Sequence, residues 1–300
     1  MIQNFNFYDV YGYFLPGFTL LLMFWLPFGI TTRSWPVAAL ASAVFAVAVA
    51  YIAGHILQIF ASHVFPPKLK GRYPSDLVLN QNDQTFTDLF KGPLKNRIKL
   101  ICGLDVDHGP EDQDLDEKEE ELRSRVRGDA FFVCRSLLSQ AKSMTYAEQS
   151  QGMYALMVGL ALAFGLGSLY QLGWSSSSWI RDSLELYVSI GIVVTLMFAI
   201  VVVSVTVNLE DPRKSTGFRV ALISLVITVF LLGGLLGSRR ATEEGRALFL
   251  IIGLTSLLAS VTCYNGYKFF IREYAKAVYY AFSTYEKTKR PNSSNCPQKS

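Results

Sequence analysis

Residues 154–172 read YALMVGLALAFGLGSLYQL, nineteen positions without a charged side chain. A helix rises about 1.5 Å per residue, so such a run comes close to the roughly 20 residues that cross a hydrocarbon core about 30 Å thick. Helices of soluble proteins seldom run past a dozen residues without a polar face, which favours a membrane span over a buried globular helix. Working outward, five further stretches have the same character: Tyr11–Ile30, Val37–Ala61, Leu186–Val207, Val220–Gly237 and Ala247–Tyr264, the last being the shortest.

Composition agrees. Of 300 residues, 51% are hydrophobic and 17% charged, against about 25% charged in a soluble domain, and mean hydropathy is +0.28. The sequence therefore predicts an all-α fold, a polytopic transmembrane helical bundle of about six spans with a small helical cytoplasmic domain. Expected boundaries are spans 1–2 in 1–61, a cytoplasmic loop domain in 62–150, spans 3–6 in 151–264, and a cytoplasmic helix and tail in 265–300. The first stretch does not read as a cleaved signal peptide, because no Lys or Arg precedes it and no small-residue cleavage site follows.

Orientation follows from the positive-inside rule. With six spans, the N-terminus, the 62–150 loop, the 208–219 loop and the tail share one side, and that side holds 23 of the 28 Lys and Arg residues. Both termini are thus expected in the cytoplasm, with the Arg239–Arg240 pair as the one dissenting signal. The four cysteines then face a reducing compartment at spacings that match no zinc module, and read as structural thiols.

Asp9 precedes the first span and is read as its N-cap; Pro16 removes a backbone bond inside it, which a neighbouring helix must cover. Trp35-Pro36 reads as an interfacial belt residue and a helix start. Small residues recur every fourth position: Ser42, Ala46, Ala50 and Gly54; Ala155, Gly159, Ala163 and Gly167; Gly191, Thr195 and Ala199; then Gly233 and Gly237. Such stripes let helix backbones approach closely in lipid, within one chain or between subunits. The acidic run from Asp105 to Glu121 reads as solvated, since its glycine and spacing do not fit a calcium loop. Thr145-Tyr-Ala-Glu148 has the form of a capping box and marks a helix start.

In the tail, Tyr264, Tyr267, Ile271, Tyr274, Val278, Ala281 and Tyr285 alternate steps of three and four. This predicts that the last span continues as one long helix whose seam, centred on Tyr267, Ile271, Tyr274 and Val278, docks on the 62–150 domain or on another subunit. Lys268, Arg272 and Lys276 form a separate basic stripe that could face anionic headgroups.

His55 and Gln58 stand one turn apart near the inner end of the second span. Polar groups at membrane depth are costly and are candidates for gating, ion passage or ligand contact, set against a plain interhelical hydrogen bond. No phosphate loop, zinc-protease motif or nucleophile elbow occurs, so no enzyme activity, cofactor, metal or nucleic-acid partner is expected. An intramembrane enzyme would need His55, Gln58 and Asp9 to converge on one cavity. The expected partners are the lipid bilayer and either a second copy of the chain or a cytoplasmic protein.

The stretch Tyr8-Asp9-Val-Tyr-Gly12-Tyr-Phe-Leu-Pro16-Gly17-Phe, with Tyr51-x-x-Gly54-His55-x-x-Gln58 and Phe132-x-Cys134-Arg135-Ser136, resembles a diffuse group of uncharacterised bacterial multi-pass inner-membrane proteins. Several of these look like membrane effectors of anti-phage defence. The resemblance covers about a third of the chain and implies an inner-membrane effector, pore-like or otherwise membrane-perturbing and regulated through its cytoplasmic domain; a channel or small-solute transporter is the alternative.

Overall fold

The computed structural model describes residues 8–33, 40–65, 74–79, 85–106, 117–141, 144–176, 226–234, 236 and 243–285. The expectations at Trp35-Pro36, most of the acidic run, the stretch 186–207, Gly237 and Arg239–Arg240 lie outside those residues. Every described element is helical: a π-helical turn Asp9–Phe14 leading into α1 (Leu15–Thr32), then α2 (Leu40–Val64), α3 (Pro74–Leu79), α4 (Asp88–Cys102), α5 (Glu117–Gln140), α6 (Thr145–Ser175), a helical segment over 226–234, and α7 (Glu243–Thr284). Four helical stretches are long and apolar enough to cross a membrane: Asp9–Thr31, Val44–Val64, Thr145–Ser175 and Gly245–Thr284.

The chain forms two compact units, Met1–Pro66 with Gly152–Phe270, and Pro67–Gln151 with Ile271–Ser300. Helices α6 and α7 contribute residues to both.

In the first unit α6 is the central helix: 61% of its apolar window is buried, against 28%, 22% and 17% for the other three. Its small residues explain why. Ala155, Ala161 and Ala163 are buried, and of the α6 glycines Gly159 and Gly167 face α1, Gly165 faces Ser260 and Gly173 faces Phe230. Gly159 meets Pro16 and Gly167 meets Met23, so α1 runs parallel to α6, whereas Met157 meets Gly266 and Leu172 meets Gly253, so α7 runs antiparallel. Helices α1 and α2 are antiparallel, Gly17 lying on Ala50 and Gly54, and Gly54 on Tyr13. The outward faces stay apolar, with Phe45, Ile52, Ile56 and Ile59 on α2 and Leu254, Leu258 and Val261 on α7 all exposed. Such a surface suits acyl chains.

In the second unit, Leu94 and Ile98 of α4, Ala130, Cys134 and Leu138 of α5, and Tyr274, Val278, Tyr279 and Phe282 of α7 are buried. Phe131 meets the edges of both Tyr274 and Tyr279, at 5.9 and 5.6 Å between ring centroids. Burial holds the Cys134 thiol well above the ordinary thiol range, and the adjacent Cys102 thiol adds to the effect.

Candidate functional site

The residues singled out in the second span meet the π turn. An α-helix pairs each carbonyl with the N–H four residues on, and residue 16 is proline, so the carbonyl of Gly12 has lost that partner. The backbone here is looser than α: the N–H of Leu15 reaches back to the carbonyl of Val10. Gln58 on α2 makes good the loss, its Nε2 donating to the Gly12 carbonyl at 2.7 Å and to the Ala155 carbonyl on α6, also at 2.7 Å. One amide thus ties three apolar helices together. Nothing polar in a hydrocarbon slab is cheaper to leave unpaired than in water, and a freed carbonyl there must find a donor.

The same device recurs eleven residues along α1. Pro27 lies inside the helix, so the carbonyl of Met23 has also lost its α-helical partner. Here the donor comes from α6: Gln171, fully buried, gives its Nε2 to the Met23 carbonyl at 2.8 Å. Two prolines in one span are therefore matched by two glutamines from two neighbours. Gln171 Oε1 and the Trp174 indole N–H one turn on are buried without hydrogen-bond partners among the described residues. Two serine hydroxyls complete the polar seams of α6, Ser168 donating to the Gly253 carbonyl at 2.8 Å and Ser260 to the Ala161 carbonyl at 2.6 Å.

His55 does not join Gln58 in a polar cavity. Its ring stacks on Tyr13 with centroids 3.7 Å apart and planes 20° from parallel, while Tyr51 meets it edge-on at 4.6 Å. Tyr8 in turn meets Tyr13 at 5.3 Å. The candidate gating pair thus acts on one element, His55 on the ring of Tyr13 and Gln58 on the carbonyl of Gly12. Asp9 is not the N-cap residue itself: Tyr8 before it is already helical, and Asp9 stands in the first turn. Among the described residues, no group of three His, Cys, Asp or Glu side chains stands close enough to hold a metal ion.

The glycines mark contacts that admit no side chain. A Cβ on Gly54 would overlap the Tyr13 carbonyl, one on Gly17 the Ala50 carbonyl, and one on Gly159 would lie 2.6 Å from Pro16 Cγ. Gly167 would clash with Met23 Cβ at 2.8 Å, and Gly233 with the Tyr170 carbonyl. Ala163 is fully buried. Sequence reading passed over Gly173, whose Cβ would overlap the Phe230 carbonyl, and over Gly17. The signal for Gly17 was its place one residue after Pro16.

On α7, Tyr267, Ile271, Tyr274 and Val278 are all buried, Tyr267 within the first unit and the others within the second. The buried face is broader than a heptad seam, because Ala275, Tyr279 and Phe282 are buried as well and Ala281 is not. That width is what a helix packed into a globular core presents. Within the second unit Arg135 lies over the Tyr274 ring, the Tyr279 hydroxyl donates to the Ser75 carbonyl at 3.3 Å, and Arg97 donates to the Tyr285 carbonyl.

Search of the known proteins gives no further identity: no family model matches the chain, and neither a curated protein nor a solved structure is similar to it.

Proposed function

We propose that the chain is a six-span protein of the bacterial inner membrane, with both termini and the 62–150 domain in the cytoplasm. In this reading it acts as a non-enzymatic effector that perturbs the membrane when its cytoplasmic domain is engaged, with phage defence as the setting. Parity supports the span count. The start of α1, the end of α2 and the start of α6 lie at one end of the first unit, and the end of α6 and the start of α7 at the other. The chain thus leaves and rejoins the unit at the same end, and in this reading the apolar stretches 186–207 and 220–237 would be two further spans. The cytoplasmic assignment is supported by the Lys and Arg distribution.

The observation that carries the effector reading is the Gln58 amide bridging the carbonyls of Gly12 and Ala155. Among the described residues, Gln58, Gln171, Ser168 and Ser260 hold helices together, which suits a resting bundle that opens by releasing them better than a preformed polar path. The π turn, with its weakened backbone, is where release would begin.

The test is membrane potential, read by a potential-sensitive dye in cells expressing wild type, His55→Ala or Gln58→Leu, with and without phage challenge. Wild type is expected to depolarise only on challenge, and Gln58→Leu without it. No depolarisation in any variant under any condition overturns the effector. Solute flux into liposomes without any trigger would instead establish the channel or transporter reading.

A further inference from the structure

At the end of the first unit where α2 finishes, three helices place aromatic rings together. Phe65 meets Tyr264 at 5.0 Å, Tyr264 is stacked with Tyr267 at 6.2 Å, and Tyr267 meets Tyr154 of α6 at 6.3 Å. Above this platform the Lys268 ammonium sits 4.1 Å from the centroid of the Tyr264 ring. Lys268 has no carboxylate partner among the described residues, and it is half-buried, its stem lying along the rings. Two to four turns before it, α7 exposes the aliphatic face of Leu254, Leu257, Leu258 and Val261.

From this placement we infer a binding site for the phosphate of an anionic phospholipid headgroup, formed by Lys268 and the Tyr264 ring with Phe65 and Tyr267 behind it. Electrostatics and position both argue for it. The ring face holds one side of the ammonium, and its remaining N–H donors need an anion. The cation stands where the apolar face of a membrane-crossing helix gives out, so the anion that meets it is one that brings acyl chains along that face. A soluble phosphate would satisfy the charge and leave the aliphatic face uncovered.

The experiment uses the full chain purified in neutral detergent, with lipid binding read by native mass spectrometry and thermal unfolding. The probes are phosphatidylglycerol, phosphatidylcholine and inorganic phosphate. Phosphatidylglycerol is expected to bind and raise the melting temperature of wild type, while the other two do neither. Lys268→Gln is expected to weaken phosphatidylglycerol binding about fivefold, with Lys268→Arg close to wild type. Lys99→Gln, which removes a more exposed charge on α4 that is paired with Asp105, serves as the control for net charge and is expected to bind as wild type does. Equal binding by Lys268→Gln and wild type overturns the site, as does equal loss in Lys99→Gln, which would mean net charge alone, or a response to inorganic phosphate, which would mean a soluble anion. Tyr264→Leu removes the ring and keeps the cation; unchanged binding there would reject the platform even if Lys268→Gln folds poorly.

Discussion

Gln171 of α6 donates its side-chain amide to the carbonyl of Met23, the one backbone group of α1 that Pro27 leaves without an α-helical donor. Gln58 stands in the same relation to Gly12 and Pro16. Each pairing joins a defect in one helix to a polar side chain on another, so neither residue can be judged alone.

The pairing makes a quantitative prediction. Gln58→Leu leaves the Gly12 carbonyl unpaired and is expected to cost about 1–3 kcal/mol of unfolding free energy in mixed micelles. Adding Pro16→Ala restores an N–H at residue 16 and should recover about 1 kcal/mol of that loss. Strictly additive effects, within about 0.5 kcal/mol, would show that the proline and the glutamine are not coupled.

Glycines of the two units should respond in opposite directions. Gly54→Ala drives a methyl into the Tyr13 carbonyl and is expected to abolish the folded protein, as judged by size-exclusion chromatography. Gly128→Ala on α5 meets nothing within 4 Å and should stabilise by up to about 1 kcal/mol through helix propensity. A neutral Gly54→Ala would show that α1 and α2 are not in backbone contact.

Adjacent phenylalanines on α5 form a second contrast. Phe131 packs on Tyr274 and Tyr279, so Phe131→Ala should destabilise by about 2 kcal/mol or more. Phe132 is 68% exposed, and Phe132→Ala should stay within about 0.5 kcal/mol. Urea denaturation followed by tyrosine fluorescence separates the two, and equal effects would mean α5 is rotated from the described face.

Alkaline pH should unfold the chain partly through Cys134. Its folded pKa is raised by burial and by Cys102, so above the ordinary thiol value of about 8.5 the unfolded chain loses a proton that the folded one keeps. The contribution is therefore fully present below that value and is lost as pH rises past it. Cys134→Ala should flatten the fall in stability between about pH 8.5 and 10.5; an unchanged slope would assign the alkaline loss to other groups.

The apolar runs made the helices legible, since nineteen uncharged residues from Tyr154 leave few alternatives, and the step of three and four in the tail reported a buried face of α7. His55 and Gln58 were visible as polar residues at depth, and Pro16 as a lost backbone bond. Their meeting was not visible, because it depends on the register between α1 and α2, which the Gly17 and Gly54 contacts set. Gln171 sat within an apolar run and drew no separate reading, since nothing local ties it to Pro27. The π turn was hidden for the same kind of reason: Asp9 looked like a cap, and only the Leu15 to Val10 bond shows the looser winding. The tail face came out wider than its heptad because Tyr279 and Phe282 answer to a core in the second unit.

The prolines of α1 also fix an order of events at the ribosome. Gln58 follows the carbonyl it serves by 46 residues and Gln171 follows Met23 by 148, so both carbonyls are synthesised before either donor. Until α6 has been translated, α1 lacks the donor for its Met23 carbonyl, and a chain that stops short of residue 171 never gains it.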